Sequence, residues 1–163
     1  MSELVQAGAE HPVVRWAAED AVAGVHPRDL LGQVTSVRDW IAARTEYRRD
    51  PIAAEWLQTP WYVIRCQIAQ GRVPQLDCDD LTDLSLAMLG TLGFPADLRV
   101  VSTRPDQRFN HVYGLVAIDR DRWALDMTRS WARPGSMPAR ETRGRTLPVL
   151  PARARPFWQR WAA

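Results

Sequence analysis

A chain of 163 residues, 46% hydrophobic and 25% charged, has the length of one domain and the composition of a globular protein rather than a disordered one. No apolar run reaches the ~18–20 residues of a membrane span, so no membrane partner is expected. Two cysteines, Cys66 and Cys78, are too few for a disulfide framework. Met1-Ser2-Glu3-Leu4-Val5-Gln6-Ala7 has neither a charged start nor an apolar stretch, so no secretory signal is read there and a cytoplasm is the expected location.

The net charge of +2 is unevenly spread. Residues 129–163 carry eight arginines and one acid, net +7, and the rest carries thirteen arginines against eighteen acids, net −5. Such a tail can meet phosphate, an acidic partner or the acidic body of its own chain. With no aromatic-interleaved basic motif, nucleic acid is not an expected partner and the last reading leads.

In chain order, Pro12 suits a first helical position and Gly24 a stop, which predicts a helix over 12–23 with Val14, Ala17, Ala18, Ala21 and Val22 on one face. A second is predicted over about 28–44 from the stripe Leu30, Leu31, Val34, Val37, Trp40, Ile41. Glu46 to Pro51 reads as a connector with a short extended piece, and residues 55–58 are ambiguous. A third helix is capped by Thr59-Pro60 and ended by Gly71. The fourth, about 78–92, is the best defined. Asp77 is its N-cap, Asp80 stands at the capping-box position, and Gly93 and Pro95 end it. The period then changes. Residues 98–101, 111–118 and 123–127 read as strands, the last two joined near Asp119-Arg120-Asp121-Arg122. Helices followed by an antiparallel sheet predict an α+β fold. Domain boundaries are drawn at 1–128 and 129–163, the second an irregular Arg/Pro-rich extension with a turn of helix at 158–161.

Cys78 opens the fourth helix, where exposed N–H groups and the macrodipole favour a thiolate. Only one of the three histidines, His111, follows it, and Asp126 comes fifteen residues later. A thiol, an imidazole base and a carboxylate that orients the ring make up a nucleophilic catalyst. The strands test this reading. A two-residue turn at Asp119-Arg120 sets Asp126 opposite Tyr113, one diagonal from His111 and within side-chain reach; a four-residue turn separates the pair. Asp77, Asp79 and Asp80 oppose a thiolate, so His111 as imidazolium is expected to hold it in an ion pair, unless the acids point away, capping the helix or binding arginines. The Cys78 N–H would serve as one oxyanion donor, with Gln58, Gln67, Gln75 or Trp61 as candidates for the second. Each residue also has a structural reading: an inert helix-start cysteine, a core histidine, a strand-ending aspartate.

The combination resembles the transglutaminase-like superfamily, a branch of the papain-like cysteine enzymes. The likeness runs through Gly71…Asp77-Cys78-Asp79-Asp80, Leu92-Gly93-Phe94-Pro95-Ala96, Phe109-Asn110-His111-Val112-Tyr113 and Trp123-Ala124-Leu125-Asp126-Met127-Thr128, about residues 35–130. It implies a papain/transglutaminase-like fold, with the nucleophile helix packed on the sheet. It also implies Cys78 as nucleophile, His111 as base, Asp126 as orienting residue, and a peptide or protein substrate. His11-Pro12, Tyr47, Asp50-Pro51, Glu55 and Gln58-Thr59-Pro60 are similar to transglutaminase-like proteins of tailed bacteriophages and prophages. This adds a virion as a location, phage structural proteins as partners, and a non-catalytic assembly component as the alternative function. Asp79 stands where crosslinking members carry Trp, and the chain has no room for their extra domains, so amide or isopeptide hydrolysis is expected over crosslinking. No cofactor is required. Calcium held by Asp77 and Asp79, as in some bacterial members, is the lesser alternative. The run is not an EF-hand, since Thr82 and Met88 fall where that loop needs Gly and Glu.

Overall fold

The computed structural model describes residues 1–51, 56–129, 132–136 and 141–151. Its centre is helix α5 (Cys78–Thr91), whose Leu81, Leu84, Leu86, Ala87, Met88 and Leu89 are all buried. A helix that buries residues on every side must be covered on every side. Helices α1 (Ser2–Glu10), α2 (Pro12–Ala21), α3 (Leu30–Ala42) and α4 (Pro60–Tyr62) pack around one flank. The sheet covers the other: β3 (Ala96–Ser102), β4 (His111–Ile118), β5 (Asp121–Leu125) and β6 (Arg143–Leu150), antiparallel in the order β5-β4-β3-β6. β1 (Glu46–Tyr47) and β2 (Gln75–Leu76) form a separate parallel pair.

Side chains alternate across β4, as a pleat requires. Val112, Val116 and Ile118 join the main core, and Gly114 lets the Leu86 side chain approach so closely that a Cβ there would lie 2.7 Å from its Cδ2. Tyr113 faces the opposite side, where it is buried with Val101 and Ala124. That outer face is covered in part by the segment after β5. Gly135 N–H donates to Ala124 O at 2.7 Å, and at φ +91° it sits where any Cβ would lie 2.9 Å from the Trp123 ring.

The predicted helix over 12–23 is observed as Pro12–Ala21, that over 28–44 as Leu30–Ala42, and that over 78–92 as Cys78–Thr91. The third continues from α4 as a π-helical turn (Val63–Gln67) and a 3₁₀ turn (Ile68–Gln70) before Gly71 ends it at φ +71°. Three elements depart from expectation. The strand expected over 123–127 is Asp121–Leu125, because the two-residue turn starts it earlier, and Asp126 follows its end. Helix α1 was not predicted; it is tied to the body by Thr91 Oγ1–H donating to Ala9 O at 2.9 Å and Gln6 Nε2–H to Val149 O at 2.9 Å. The irregular tail is corrected over 143–150, which is the edge strand β6 paired along β3. An edge strand has only one neighbour, so Pro148 and the exposed arginines Arg143 and Arg145 are tolerated there. The turn of helix expected at 158–161 and the ambiguous Glu55 lie outside the described residues.

Candidate active site

The turn between β4 and β5 has two residues, with Ile118 opposite Asp121 and Gly114 opposite Leu125. Asp119 takes the left-handed conformation at φ +56°, which an aspartate tolerates better than most residues. This register puts Asp126 beside His111, and His111 Nε2 lies 2.9 Å from Asp126 Oδ2. Asp126 Oδ1 accepts from Thr128 N–H at 3.1 Å and Thr128 Oγ1–H at 2.7 Å. Burial works to raise the Asp126 carboxyl, but the hydrogen bond and charge of His111 and the two Thr128 bonds outweigh it and hold it below the ordinary carboxylate value. With Nε2 engaged by a carboxylate, Nδ1 is the ring nitrogen left for chemistry, and it has no hydrogen-bond partner among the described residues.

Cys78 is half-buried at the first position of α5 and is a free thiol. Thr82 Oγ1–H links the two elements, donating to Cys78 O at 2.6 Å and approaching Val112 O at 3.3 Å. Cys78, His111 and Asn110 line one cleft of about 890 Å³, together with Tyr47, Arg49 and Asp50 from β1 and the segment after it and Val100, Arg104 and Phe109 from β3 and the β3–β4 connection. Asp126 is buried behind His111 and does not line it. The thiol is pushed up to about 11, mainly by burial, with repulsion from Asp77 and Asp79 adding to it; the backbone N–H groups of Val112 and Cys78 pull the other way. The resting form is therefore the neutral thiol.

The acids around Cys78 divide their tasks. Asp77 Oδ1 caps the helix by accepting from Asp79 N–H at 3.2 Å and Asp80 N–H at 3.4 Å. Asp80 holds the upstream segment instead of closing a capping box: its oxygens accept from Gln58 N–H at 2.6 Å and Gln58 Nε2–H at 3.1 Å. Burial, repulsion and a shared hydrogen bond with Asp79 push the Asp77 carboxyl up to about 8, and burial is the main cause of the rise of Asp80 to about 6. Asp77, Asp79 and Asp80 each bring one carboxylate oxygen within 4.8 Å of the others. That spacing suits a hard divalent cation such as calcium.

None of the four residues expected to supply a second oxyanion donor lines the cleft. Gln58 is committed to Asp80, Gln67 donates to Gln58 Oε1 at 2.6 Å, Gln75 accepts from Arg48, and Trp61 stacks on His11 at 5.3 Å. Conversely, the sequence reading did not single out Arg49 or Arg104. A lone loop arginine carries no periodicity or motif, and only the parallel β1–β2 pairing, which sets Tyr47 opposite Leu76, brings residues 47–50 alongside the nucleophile.

No family model matches this chain, and no curated protein matches it. Among solved structures, a candidate cysteine protease from Cytophaga hutchinsonii aligns with a TM-score of 0.51 at 18% identity, over 71% of this chain and 37% of that one. A structure described as a TGase aligns with a TM-score of 0.47 at 16% identity, over 86% and 34%. The chain thus spans little more than a third of the length of either. The α+β architecture, with helix α5 against an antiparallel sheet, is that of the papain/transglutaminase-like fold. Among the described residues no helix is long and apolar enough to cross a membrane.

Proposed function

We propose that this chain is a transglutaminase-like cysteine hydrolase or acyltransferase acting at a peptide-like amide bond through Cys78, His111 and Asp126. The observation that carries this reading is the 2.9 Å His111–Asp126 pair, set on a cleft that Cys78 shares. In the proposed reaction the sulfur attacks the amide carbonyl carbon while His111 Nδ1 takes the thiol proton. Since the resting thiol is neutral, proton transfer accompanies attack and no ion pair is stored beforehand. Asp126 stabilises the imidazolium that forms. The Cys78 N–H, which has no intrahelical acceptor at the first helical position, faces the developing oxyanion. The amine then leaves with the proton from His111, and water or a second amine attacks the thioester. The chemistry requires no cofactor. If calcium binds, Asp77, Asp79 and Asp80 are the residues that would hold it at the helix start.

Iodoacetamide tests the proposal. The rate of Cys78 alkylation at neutral pH is expected to fall by about a hundredfold or more in His111→Ala. Equal, sluggish rates in wild type and variant would overturn it.

The thiol held near 11 by burial suits an unreactive cysteine; the second reading is that the fold serves as a non-catalytic assembly component, with phage structural proteins as proposed partners. Incorporation of Cys78→Ala into a particle at the wild-type copy number, with full function, would support that alternative.

A further inference from the structure

Two arginines from separate segments, Arg49 and Arg104, line the cleft. Arg49 follows β1, whose pairing with β2 is extended by Arg48 N–H donating to Leu76 O at 2.8 Å, so the 47–50 stretch runs beside Leu76-Asp77-Cys78. Arg104 comes from the β3–β4 connection, held by its own backbone: its carbonyl accepts from Thr142 Oγ1–H at 2.6 Å and Ser102 Oγ–H at 3.2 Å. Both side chains are exposed, and both line the cleft with Cys78 and His111. Neither guanidinium has a carboxylate partner among the described residues; Arg49 has only Tyr47 Oη, at 3.4 Å.

The acids of the cleft are engaged otherwise. Asp50 Oδ2 accepts from Trp56 N–H at 2.6 Å, Asp77 caps α5, and Asp79 Oδ1 accepts from Asp80 N–H at 3.0 Å. Arginine's planar fork is suited to carboxylates, and two forks without carboxylate partners, both on the lining of the cleft that holds Cys78, offer a receptor for one. The hydrophobic contact beside them is Phe109, whose ring is covered by Arg143 at 4.9 Å.

We infer that Arg49 and Arg104 select an acyl donor carrying a carboxylate close to the scissile amide, as in a peptide with an acidic residue or a free α-carboxylate next to an isopeptide bond. This rests on the cleft being the reaction site and names the substrate class it takes.

Iodoacetate and iodoacetamide supply a matched pair of probes. In both, the Cys78 thiolate displaces iodide, and they differ in a carboxylate against a neutral amide. The ratio of the two alkylation rates at Cys78, divided by the same ratio for glutathione, is expected to exceed one in the wild type. It should fall roughly three- to tenfold in Arg49→Gln/Arg104→Gln, partly return in Arg49→Lys/Arg104→Lys, and shrink with added salt, as screened charge attraction requires. A ratio equal to that of glutathione, or one unchanged in the Gln variant, overturns the inference. The ratio is read whether or not His111 accelerates alkylation. A lost His111 effect with an intact arginine effect sinks the catalytic reading alone, and the converse sinks the carboxylate site alone. Exposed guanidiniums leave the fold unchanged when replaced, which circular dichroism checks.

Discussion

Asp83 on helix α5 is fully buried, and neither of its carboxylate oxygens has a partner among the described residues. Burial pushes it up to about 7; attraction to the Met1 ammonium opposes the rise, and repulsion from Asp79 and Asp80 adds to it. Relative to the ordinary value of 3.8, that position corresponds to about 4 kcal/mol of preference for the neutral form. The folded chain therefore binds a proton that the unfolded chain has already released, and stability falls as pH rises from about 4 to about 7, then levels off. Asp83→Asn keeps the shape and removes the titration. Urea unfolding followed by tryptophan fluorescence should show the variant gaining about 1 kcal/mol over wild type near pH ~4.5 and about 4 kcal/mol near pH ~8. A shallower slope of the same sign should remain, from Asp80 at about 6 and Asp77 at about 8. An equal difference at both pH values would refute the account, because a packing effect does not titrate.

Asp126→Asn should slow alkylation and any turnover at Cys78 by roughly 10²–10⁴-fold with the far-ultraviolet circular dichroism unchanged, since the fixed imidazole tautomer is lost while the side-chain shape is kept. Because the Asp126 carboxyl is held low in the fold, its stabilisation is present above the ordinary carboxylate range and lost as pH falls through its folded value, so the variant should lose part of the acid-side fall in stability below about pH 4. Gly114→Ala forces a Cβ against Leu86 Cδ2, and a destabilisation of about 1–3 kcal/mol is expected in the same urea assay. Tyr113 Oη–H donates to Glu141, which also pairs with Arg99 at 2.8 Å. Burial, followed by this carboxylate, pushes the Tyr113 phenol well above its ordinary value. Glu141→Gln should lower the pH at which one of the three tyrosines titrates by ultraviolet absorbance; an unmoved titration would show that burial acts alone.

The parts of the fold legible in the sequence were those whose signals are local. A capped apolar helix at 78, a glycine stop at 71 and an aspartate-led turn at 119 each act within a few residues. The last fixes the register that brings His111 and Asp126 together. What was missed depends on distant partners. Helix α1 buries only Val5, Gly8 and Ala9, too few and too small to draw a stripe, because α5 approaches it closely: a Cβ on Gly8 would lie 2.8 Å from that of Ala87. Strand β6 reads as a loop because an edge tolerates what an interior strand forbids. The oxyanion candidates failed because an amide side chain looks the same in a sequence whether it faces a cleft or a neighbouring carboxylate, and Gln58 had Asp80 for a partner.

Strand β6 also dictates the order of events during synthesis. It completes the sheet by pairing with residues about fifty positions earlier, and Gln6 reaches Val149 across 143 positions of sequence. Until residue 150 has left the ribosome, β3 offers an open row of backbone donors and acceptors to any passing chain. The hairpin bearing His111 and Asp126 can close long before that. The nascent polypeptide thus passes through a stage in which its ring–carboxylate pair is formed while its sheet is still unfinished, and that interval is when chaperone binding or aggregation would compete with folding.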